Sequence, residues 1–153
     1  MPDMLVKLYD LPELRPYMEA VEKAGFRIRR ANPWEQTKLA EFITANFSQG
    51  WAEETSVGFA RQPITVFIAL EGDEIVGFAA YECTRRNFFG PTGVKESLRG
   101  KGLGQGLLVA SMWALWELGY GYCIIGGVGP ADFYHKTVGA ELIPGSKPGV
   151  YKD

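Results

Sequence analysis

The spacing of apolar and polar residues predicts strands and helices that alternate along the chain. Apolar and basic residues alternate over residues 26–31, which is the period of a half-buried strand. Two longer strand patterns, at 64–70 and 74–83, are separated by a turn containing Gly72 and predict a β-hairpin. Further strands are predicted at 4–9, 88–94, 120–128, 140–143 and 150–151.

The clearest helical pattern covers residues 102–118. Apolar residues recur there at helical spacing, namely Leu103, Leu107, Ala110, Ala114 and Leu118. Helices are also predicted at 12–24, 33–47 and 130–138, with Pro33 near one start and Gly25 and Gly139 at two ends. Residues 48–63 are predicted as a loop or a short helix.

The order of these elements predicts the fold class. Residues 88–128 form a strand, a crossover helix and a second strand, which places two parallel strands side by side. The hairpin before them adds antiparallel neighbours, so we expect an α/β fold with a mixed sheet. Because no linker or repeat interrupts the chain, we expect a single domain over residues 1–153.

Composition and charge narrow the class of protein. The formal net charge of −2 argues against a broad positive surface for nucleic acid or an anionic membrane. No apolar stretch reaches 18 residues and the N-terminus has no apolar signal core, so we expect no membrane span and a cytoplasmic location. Cys83 and Cys123 are expected to be reduced core residues, and a single histidine, His135, argues against a metal site.

Glycine is distributed unevenly, since 14 of the 19 glycines lie at or after residue 90. Gly100, Gly102 and Gly104 stand between a predicted strand and the predicted helix that follows it. A helix N-terminus presents unpaired N–H groups, and glycine removes side chains that would keep an anion away. With Arg99 and Lys101 beside them, these glycines form a candidate pyrophosphate site. An ordinary glycine-rich turn is the alternative.

Two common nucleotide-binding patterns do not fit this loop. A Walker-type loop requires Ser or Thr after its lysine, and Gly102 follows Lys101. A dinucleotide-binding fingerprint requires G-x-G-x-x-G, and Gly106 stands one place beyond the third glycine of that pattern. The next strand also lacks the acidic residue that such a site uses at its end.

The loop resembles instead the acyl-CoA loop of the GCN5-related N-acetyltransferases, which reads Arg/Gln-x-x-Gly-x-Gly/Ala. The run from Arg99 to Gly104 matches this pattern without a gap. Val94 stands where the family's preceding strand ends, and Phe133-Tyr134 stand where the family has Phe/Leu-Tyr on a short helix. The resemblance is specific over residues 64–139 and extends plausibly to about residue 26, whereas residues 1–25 are not explained by it.

The resemblance implies a mixed, mostly antiparallel sheet in which two parallel strands splay apart around the pantetheine arm of acetyl-CoA. It implies that the main chains of Thr92 and Val94 bind this arm and the acyl carbonyl. The implied pyrophosphate contacts come from the backbone of the loop, at Arg99, Gly100, Lys101, Gly102, Leu103 and Gly104. Tyr134 resembles the general acid that protonates the departing thiolate, and a core tyrosine is the alternative.

Two features depart from the family's pattern. The family often has an asparagine where this chain has the run from Gly126 to Gly129, so that contact to the pantetheine arm is in doubt. The segment after Gly139 is also short, so we expect the sheet edge to be truncated or completed by a second subunit, as in a homodimer.

The acceptor side is less defined. An amine must lose a proton before it attacks, and Glu82, Glu53 and Glu54 are candidate bases, although each is also a plausible surface acid and water could carry the proton. Aromatic residues are candidates for the acceptor pocket or for the core, namely Trp51, Phe59, Phe88 and Phe89. Arg85-Arg86 could bind an acidic group or simply be solvated.

The resemblance implies direct transfer of an acetyl group to a primary amine of a small molecule or peptide, without a metal, nucleic-acid or membrane partner. Two alternatives are an acyl-CoA-binding sensor without turnover, and a half-unit whose residues 1–25 dock onto a partner domain.

Overall fold

A single seven-stranded sheet organises the computed structural model, which describes all residues, 1–153. The strands are β1 (Met4–Lys7), β2 (Arg27–Arg30), β3 (Val66–Glu71), β4 (Glu74–Tyr81), β5 (Phe88–Val94), β6 (Tyr122–Ile125) and β7 (Glu141–Leu142). The helices are α1 (Arg15–Lys23), α2 (Gln36–Asn46), α3 (Gln49–Ser56), α4 (Leu103–Glu117) and α5 (Ala131–Val138). None of the helices has the length and apolar character that crossing a membrane requires.

The strand order is β2-β3-β4-β5-β6-β1-β7, and only β5 and β6 run parallel. The hairpin β3–β4 and the crossover from β5 through α4 to β6 lie where the hydrophobic pattern predicts them. The predicted α/β class, with a mostly antiparallel mixed sheet, is therefore confirmed.

The parallel pairing between β5 and β6 covers only two residues of each strand. Only Phe88 and Phe89 pair with β6, opposite Ile124 and Ile125, and the rest of β5 has no partner on that side. A register shift in the pairing with β4 and the positive φ of Gly90 (117°) bend β5 at this point. The predicted splay between the two strands is therefore present.

Two hydrophobic cores cover the two faces of the sheet, because successive side chains of a strand point to opposite faces. On β4, Val76 and Ala79 belong to the core that contains the side chains of α4 and α1. Phe78 and Ala80 belong to the core that contains the side chains of α2 and α3. Helices therefore flank the sheet on both sides, which is the layered arrangement that a buried mixed sheet requires.

Gly106 belongs to helix packing rather than to the predicted anion loop. A Cβ atom at this position of α4 would lie 2.8 Å from Cδ1 of Ile28 and 3.0 Å from Cγ2 of Val21. Such contacts are too short for carbon atoms, so a larger residue here would require Ile28 and Val21 to shift. Gly106, which stands beside the loop in sequence, therefore serves the close packing of α4 on α1 and β2.

The N-terminal segment is part of the sheet. β1 lies between β6 and β7 and pairs antiparallel with both, with Met4 opposite Ile125 on one side and Leu142 on the other. β1 of the same chain therefore fills the place next to β6, and the C-terminal segment contributes the short edge strand β7. Whether a second subunit adds to this edge stays a prediction.

Several predicted boundaries differ from the structure. β6 covers only Tyr122–Ile125 of the strand predicted at 120–128, because the following glycine-rich run forms a loop. The predicted last strand at 150–151 is instead part of a 3-10 turn, Gly149–Tyr151. The helix predicted over 33–47 begins as a 3-10 turn, in which Asn32 and Glu35 form a capping box, and continues as α2.

Candidate active site

A cleft of about 880 Å³ opens where β5 and β6 separate. On one face of the sheet it is lined by Leu103, Leu108 and Tyr134, which belong to the core under α4. On the other face it is lined by Phe47, which packs on the core under α2 and α3, and by Trp51 of α3. Because its walls come from both cores, the cleft passes through the sheet and two molecules can enter it from opposite faces.

The backbone of β5 faces this cleft with unused hydrogen-bonding groups. Lys95 donates its backbone N–H to the carbonyl of Val76 (2.8 Å), so Gly77 and Val94 form a pair without mutual hydrogen bonds. The N–H and C=O of Val94, and those of Thr92 two residues earlier, therefore point away from β4 and toward the cleft. One of them is engaged, because Nε of Arg99 donates to the carbonyl oxygen of Val94 (3.2 Å). The Thr92 hydroxyl donates to the carbonyl of Phe78 (3.0 Å) and leaves the Thr92 backbone free for a ligand.

The glycine loop ends at the mouth of the cleft on the α4 side. Gly100 (φ 83°) and Gly102 (φ 86°) adopt left-handed backbone conformations, and Gly102 caps α4. The backbone N–H of Gly106 bonds the carbonyl of Gly102 (3.1 Å), so the N–H groups from Gly102 to Gln105 are left without a partner in the helix. A Cβ at Gly104 would lie 3.7 Å from Cζ of Phe133. A larger residue at this position would therefore begin to fill the cleft.

Two cations were predicted beside these amides, and the structure separates them. Arg99 lines the cleft, whereas Lys101 lies outside its walls; both residues are exposed to solvent. Four free amides, the positive end of the α4 dipole and one guanidinium therefore converge at the loop. These groups fit a pyrophosphate.

Tyr134 is held in the wall of the cleft by aromatic contacts. Its ring lies edge-on to Phe89 and Phe133, with centroids 6.4 and 5.2 Å away, and the residue is 6% exposed. Burial raises the pKa of the Tyr134 hydroxyl to about 12, because the ionised form would be poorly solvated. The hydroxyl is therefore protonated at neutral pH and can donate a hydrogen bond into the cleft. The next residue, His135, is exposed and its Nδ1 lies 3.0 Å from the carbonyl oxygen of Ala140.

The glycine-rich run after β6 is held by the N-terminal segment. Asp3 accepts a hydrogen bond from the backbone N–H of Gly127 (2.9 Å), and Val128 donates its N–H to the carbonyl of Pro2 (2.8 Å). Gly126 packs against Phe88, since a Cβ there would lie 3.2 Å from the Phe88 ring. Sequence analysis missed Asp3, and no local pattern marks it.

Aromatic residues form the wall of the cleft on the α2–α3 face. Trp51, predicted as a substrate contact, lines this wall and stacks on Phe47, with centroids 5.3 Å apart. Phe47 was missed, although Gly93 gave an indirect signal as a glycine inside an apolar strand. A Cβ at Gly93 would lie less than 3 Å from the Phe47 ring, so the glycine lets this ring rest on β5. Phe89 lines the cleft, while Phe88 and Phe59 lie outside it.

The candidate bases do not line the cleft. Glu82 follows β4 and is 4% exposed; its carboxylate accepts hydrogen bonds from the backbone N–H of Asn87 (2.5 Å) and the hydroxyl of Tyr120 (3.2 Å) and lies 3.7 Å from Arg86. The carboxylate of Glu54 accepts hydrogen bonds from the hydroxyls of Thr84 and Tyr151. Glu53 accepts one from Gln49 (3.2 Å). Each carboxylate is thus engaged by groups of the chain itself.

Cysteine thiols and clusters of metal-ligating side chains are the remaining groups that could carry chemistry. Cys83 and Cys123 are buried free thiols, as predicted, and neither lines the cleft. No group of three or more His, Cys, Asp or Glu side chains is arranged as a metal site would be.

Comparisons with known proteins identify the fold. The sequence matches no protein-family profile and no curated protein. Among solved structures, it is similar to the GCN5-related glucosamine N-acetyltransferase region of a fungal multi-domain β-N-acetylglucosaminidase (TM-score 0.76, 17% identity), over 93% of this chain and 19% of that one. It is also similar to a GCN5-related N-acetyltransferase from Sphaerobacter thermophilus (TM-score 0.65, 18% identity), over 93% of this chain and 48% of that one.

A third similar structure carries a ligand. It is a GNAT-family acetyltransferase from Brucella melitensis in complex with acetyl-CoA (TM-score 0.59, 20% identity), matched over 72% of this chain and 80% of that one. This chain spans less than half the length of the first two structures that it matches. At these identities the likeness concerns architecture, and it agrees with the splayed strand pair and the glycine loop described above. The chain therefore has the fold of the GCN5-related N-acetyltransferases.

Proposed function

We propose that this protein is an acetyl-CoA-dependent N-acetyltransferase that transfers an acetyl group directly to a primary amine. The observation that carries the proposal is the cleft through the sheet, with free helix amides at one mouth and a buried tyrosine in its wall. A fold shared with acetyltransferases, one of them bound to acetyl-CoA, supports it.

The loop at the start of α4 would hold the pyrophosphate of acetyl-CoA. The free N–H groups from Gly102 to Gln105 supply hydrogen bonds, and Arg99 supplies a full positive charge at the same mouth. Gly100 and Gly102 allow the backbone to turn so that it presents these groups. Lys101 adds to the positive potential from outside the wall.

The separated edge of β5 would hold the pantetheine arm. Backbone groups that face an apolar cleft without partners are costly, and the amides of a pantetheine arm can satisfy them as a neighbouring strand would. The backbones of Thr92 and Val94 supply these groups here. The Val94 carbonyl accepts one hydrogen bond from Arg99 and keeps a second lone pair for a ligand.

Acetyl-CoA supplies an activated thioester, from which the acetyl group passes to the neutral amine while the thiolate leaves with the C–S electron pair. Tyr134 donates its hydroxyl hydrogen toward the departing sulfur. Proton transfer from a hydroxyl of pKa about 12 to a thiolate whose ordinary pKa is about 8.5 would be uphill in water. An apolar environment raises the pKa of a thiol, so a thiolate formed in the cleft is a better match for Tyr134 than one in water.

The proton of the acceptor amine would leave through water. The cleft has no carboxylate in its walls, and Glu82 and Glu54 are held by other groups of the chain. Glu82 instead fixes the turn before β5, because Asn87 donates its N–H to Glu82 and accepts at its carbonyl from the N–H of Ile124 (3.0 Å). We therefore assign Glu82 to positioning the closed end of the splayed pair.

The absence of a carboxylate base keeps a second candidate function open, an acyl-CoA-binding sensor without turnover. Binding calorimetry with acetyl-CoA, followed by thiol release in the presence of a panel of amines, separates the two. An N-acetyltransferase binds acetyl-CoA and releases thiol only when an amine is present. Binding without amine-dependent release would support the sensor, and no binding would overturn both.

A further inference from the structure

The mouth of the cleft on the α2–α3 face has an aromatic wall, and this wall bears on the class of amine that the protein accepts. Two molecules can enter the cleft from opposite faces, and the loop with Arg99 occupies the mouth on the α4 face. The acceptor is then left with the mouth on the α2–α3 face, where Phe47 and Trp51 form the wall.

Within the aromatic wall, Phe47 is held in place by its neighbours and Trp51 is partly exposed. Phe47 is held between β5 and Phe78, with its ring against Gly93 and 5.8 Å from the ring of Phe78. Trp51 stacks on Phe47 at an interplanar angle of 26° and is 39% exposed, so part of the indole faces incoming molecules. A fixed aromatic surface of this kind favours an apolar or aromatic body over a hydrated one.

No carboxylate side chain lines the same mouth. Arg99 is the one charged side chain that lines the cleft, and it lies at the other end. The carboxylate of Glu54, carried by the same helix as Trp51, accepts hydrogen bonds from the hydroxyls of Thr84 and Tyr151. A second ammonium group on the acceptor would therefore lose water without gaining a carboxylate partner in the wall, which disfavours its binding.

From these observations we infer that the acceptor is a small primary monoamine with an uncharged apolar or aromatic body, and not a polyamine or an aminoglycoside. This inference rests on the proposed N-acetyltransferase function. It adds the basis of selection: Phe47 and Trp51 accept the body of the amine, and the lack of a carboxylate in the wall disfavours additional cations.

Matched amines test the inference directly through acetyl-CoA-dependent thiol release. Hexylamine and hexamethylenediamine differ only by a second ammonium. We expect kcat/KM to be at least about tenfold higher for hexylamine than for hexamethylenediamine. Equal values, or a preference for the diamine, would overturn the inference and leave the N-acetyltransferase proposal standing.

A charge placed in the wall provides the second test. Trp51→Asp should raise kcat/KM for hexamethylenediamine relative to hexylamine by about tenfold, because the new carboxylate can pair the second ammonium. Trp34→Asp is the matched control, since Trp34 is 79% exposed and lies outside the cleft, and it should leave the ratio unchanged. The same ratio in both variants would contradict the role of this wall. No thiol release with any amine, despite acetyl-CoA binding, would remove both the proposed function and the inference.

Discussion

The buried carboxylate of Asp3 accepts a hydrogen bond from the backbone N–H of Gly127 (2.9 Å), across almost the whole length of the chain. Asp3 is itself held in place, because its N–H donates to the Ser146 hydroxyl (2.7 Å) and its carbonyl accepts from the N–H of Ile143 (2.9 Å). One residue thus joins the start of β1 to the loop after β6 and to the C-terminal segment. This loop forms part of the cleft, so the N-terminal segment shapes the proposed acetyl-CoA site.

Asp3→Ala should therefore weaken both the fold and the cleft. The variant removes a buried acceptor and leaves the Gly127 N–H unpaired, so we expect the free energy of unfolding to fall by about 1–3 kcal/mol, as measured by urea denaturation. We also expect weaker acetyl-CoA binding by calorimetry. Asp3→Asn keeps an acceptor oxygen and should retain most of both properties. If Asp3→Ala matched the wild type in stability and binding, this connection would have no energetic role.

Gly104→Glu should separate ligand binding from folding. Gly104 is helical and has space for a Cβ, with the nearest atom, Cζ of Phe133, at 3.7 Å. A carboxylate in the first turn of α4 interacts favourably with the helix dipole, so stability should be preserved. It would lie among the amides proposed for the pyrophosphate, and acetyl-CoA affinity should fall at least about a hundredfold, as measured by calorimetry.

Gly104→Ala is the matched control, because it adds the Cβ without the charge, and it should bind acetyl-CoA far better than Gly104→Glu does. Gly121→Glu adds the same charge at an open position outside the cleft and should leave the affinity unchanged. Retained affinity in Gly104→Glu would contradict the assignment of this loop.

Tyr134→Phe should lower kcat with little change in acetyl-CoA affinity. The ring contacts with Phe89 and Phe133 are kept, and only the hydroxyl that faces the departing sulfur is lost. We expect a decrease of about tenfold to a hundredfold in steady-state thiol release, because a thiolate is already a good leaving group. In the wild type, the pKa of about 12 predicts no alkaline loss of activity from Tyr134 at pH values well below 12. An unchanged kcat in Tyr134→Phe would exclude a role in proton donation.

We expect the free energy of unfolding to decrease at alkaline pH because of the Cys83 thiol. Burial raises the pKa of its thiol from 9.0 to about 11, so the unfolded chain loses this proton before the folded chain does. The stabilising contribution is complete below pH 9 and is lost as pH rises through 11, amounting to about 3 kcal/mol. Urea denaturation of the wild type and of Cys83→Ser between pH 8 and 12 should give curves that converge or cross; parallel curves would contradict the shift.

The local elements were largely predictable. The hairpin, the crossover unit and the amphipathic helices follow from spacings of two and three to four residues, which are properties of short segments. The loop from Arg99 to Gly104 was also recognisable, because its glycines, the flanking cation and the start of the helix are adjacent in sequence. The structure adds the left-handed conformation of two of these glycines. Tyr134 entered through the resemblance, and the structure adds its burial and its place in the cleft wall.

The errors and omissions concern contacts between distant segments. Gly106 lies beside the loop in sequence, yet its missing side chain accommodates α1. Glu82 and Glu54 carry the right chemistry for a base, yet groups from other elements engage both carboxylates. Phe47 lines the acceptor mouth because Gly93, on another element, leaves room for its ring. No spacing rule connects these residues.

Residue spacing alone was thus sufficient for the α/β class, the parallel pair and the candidate anion site at the start of α4, because each depends on neighbours along the chain. The place of β1 between β6 and β7, the Asp3–Gly127 contact and the aromatic wall of the cleft required the folded molecule. They depend on which distant segments of the chain meet in the fold. Burial over the whole core decides this, and no single segment carries that information.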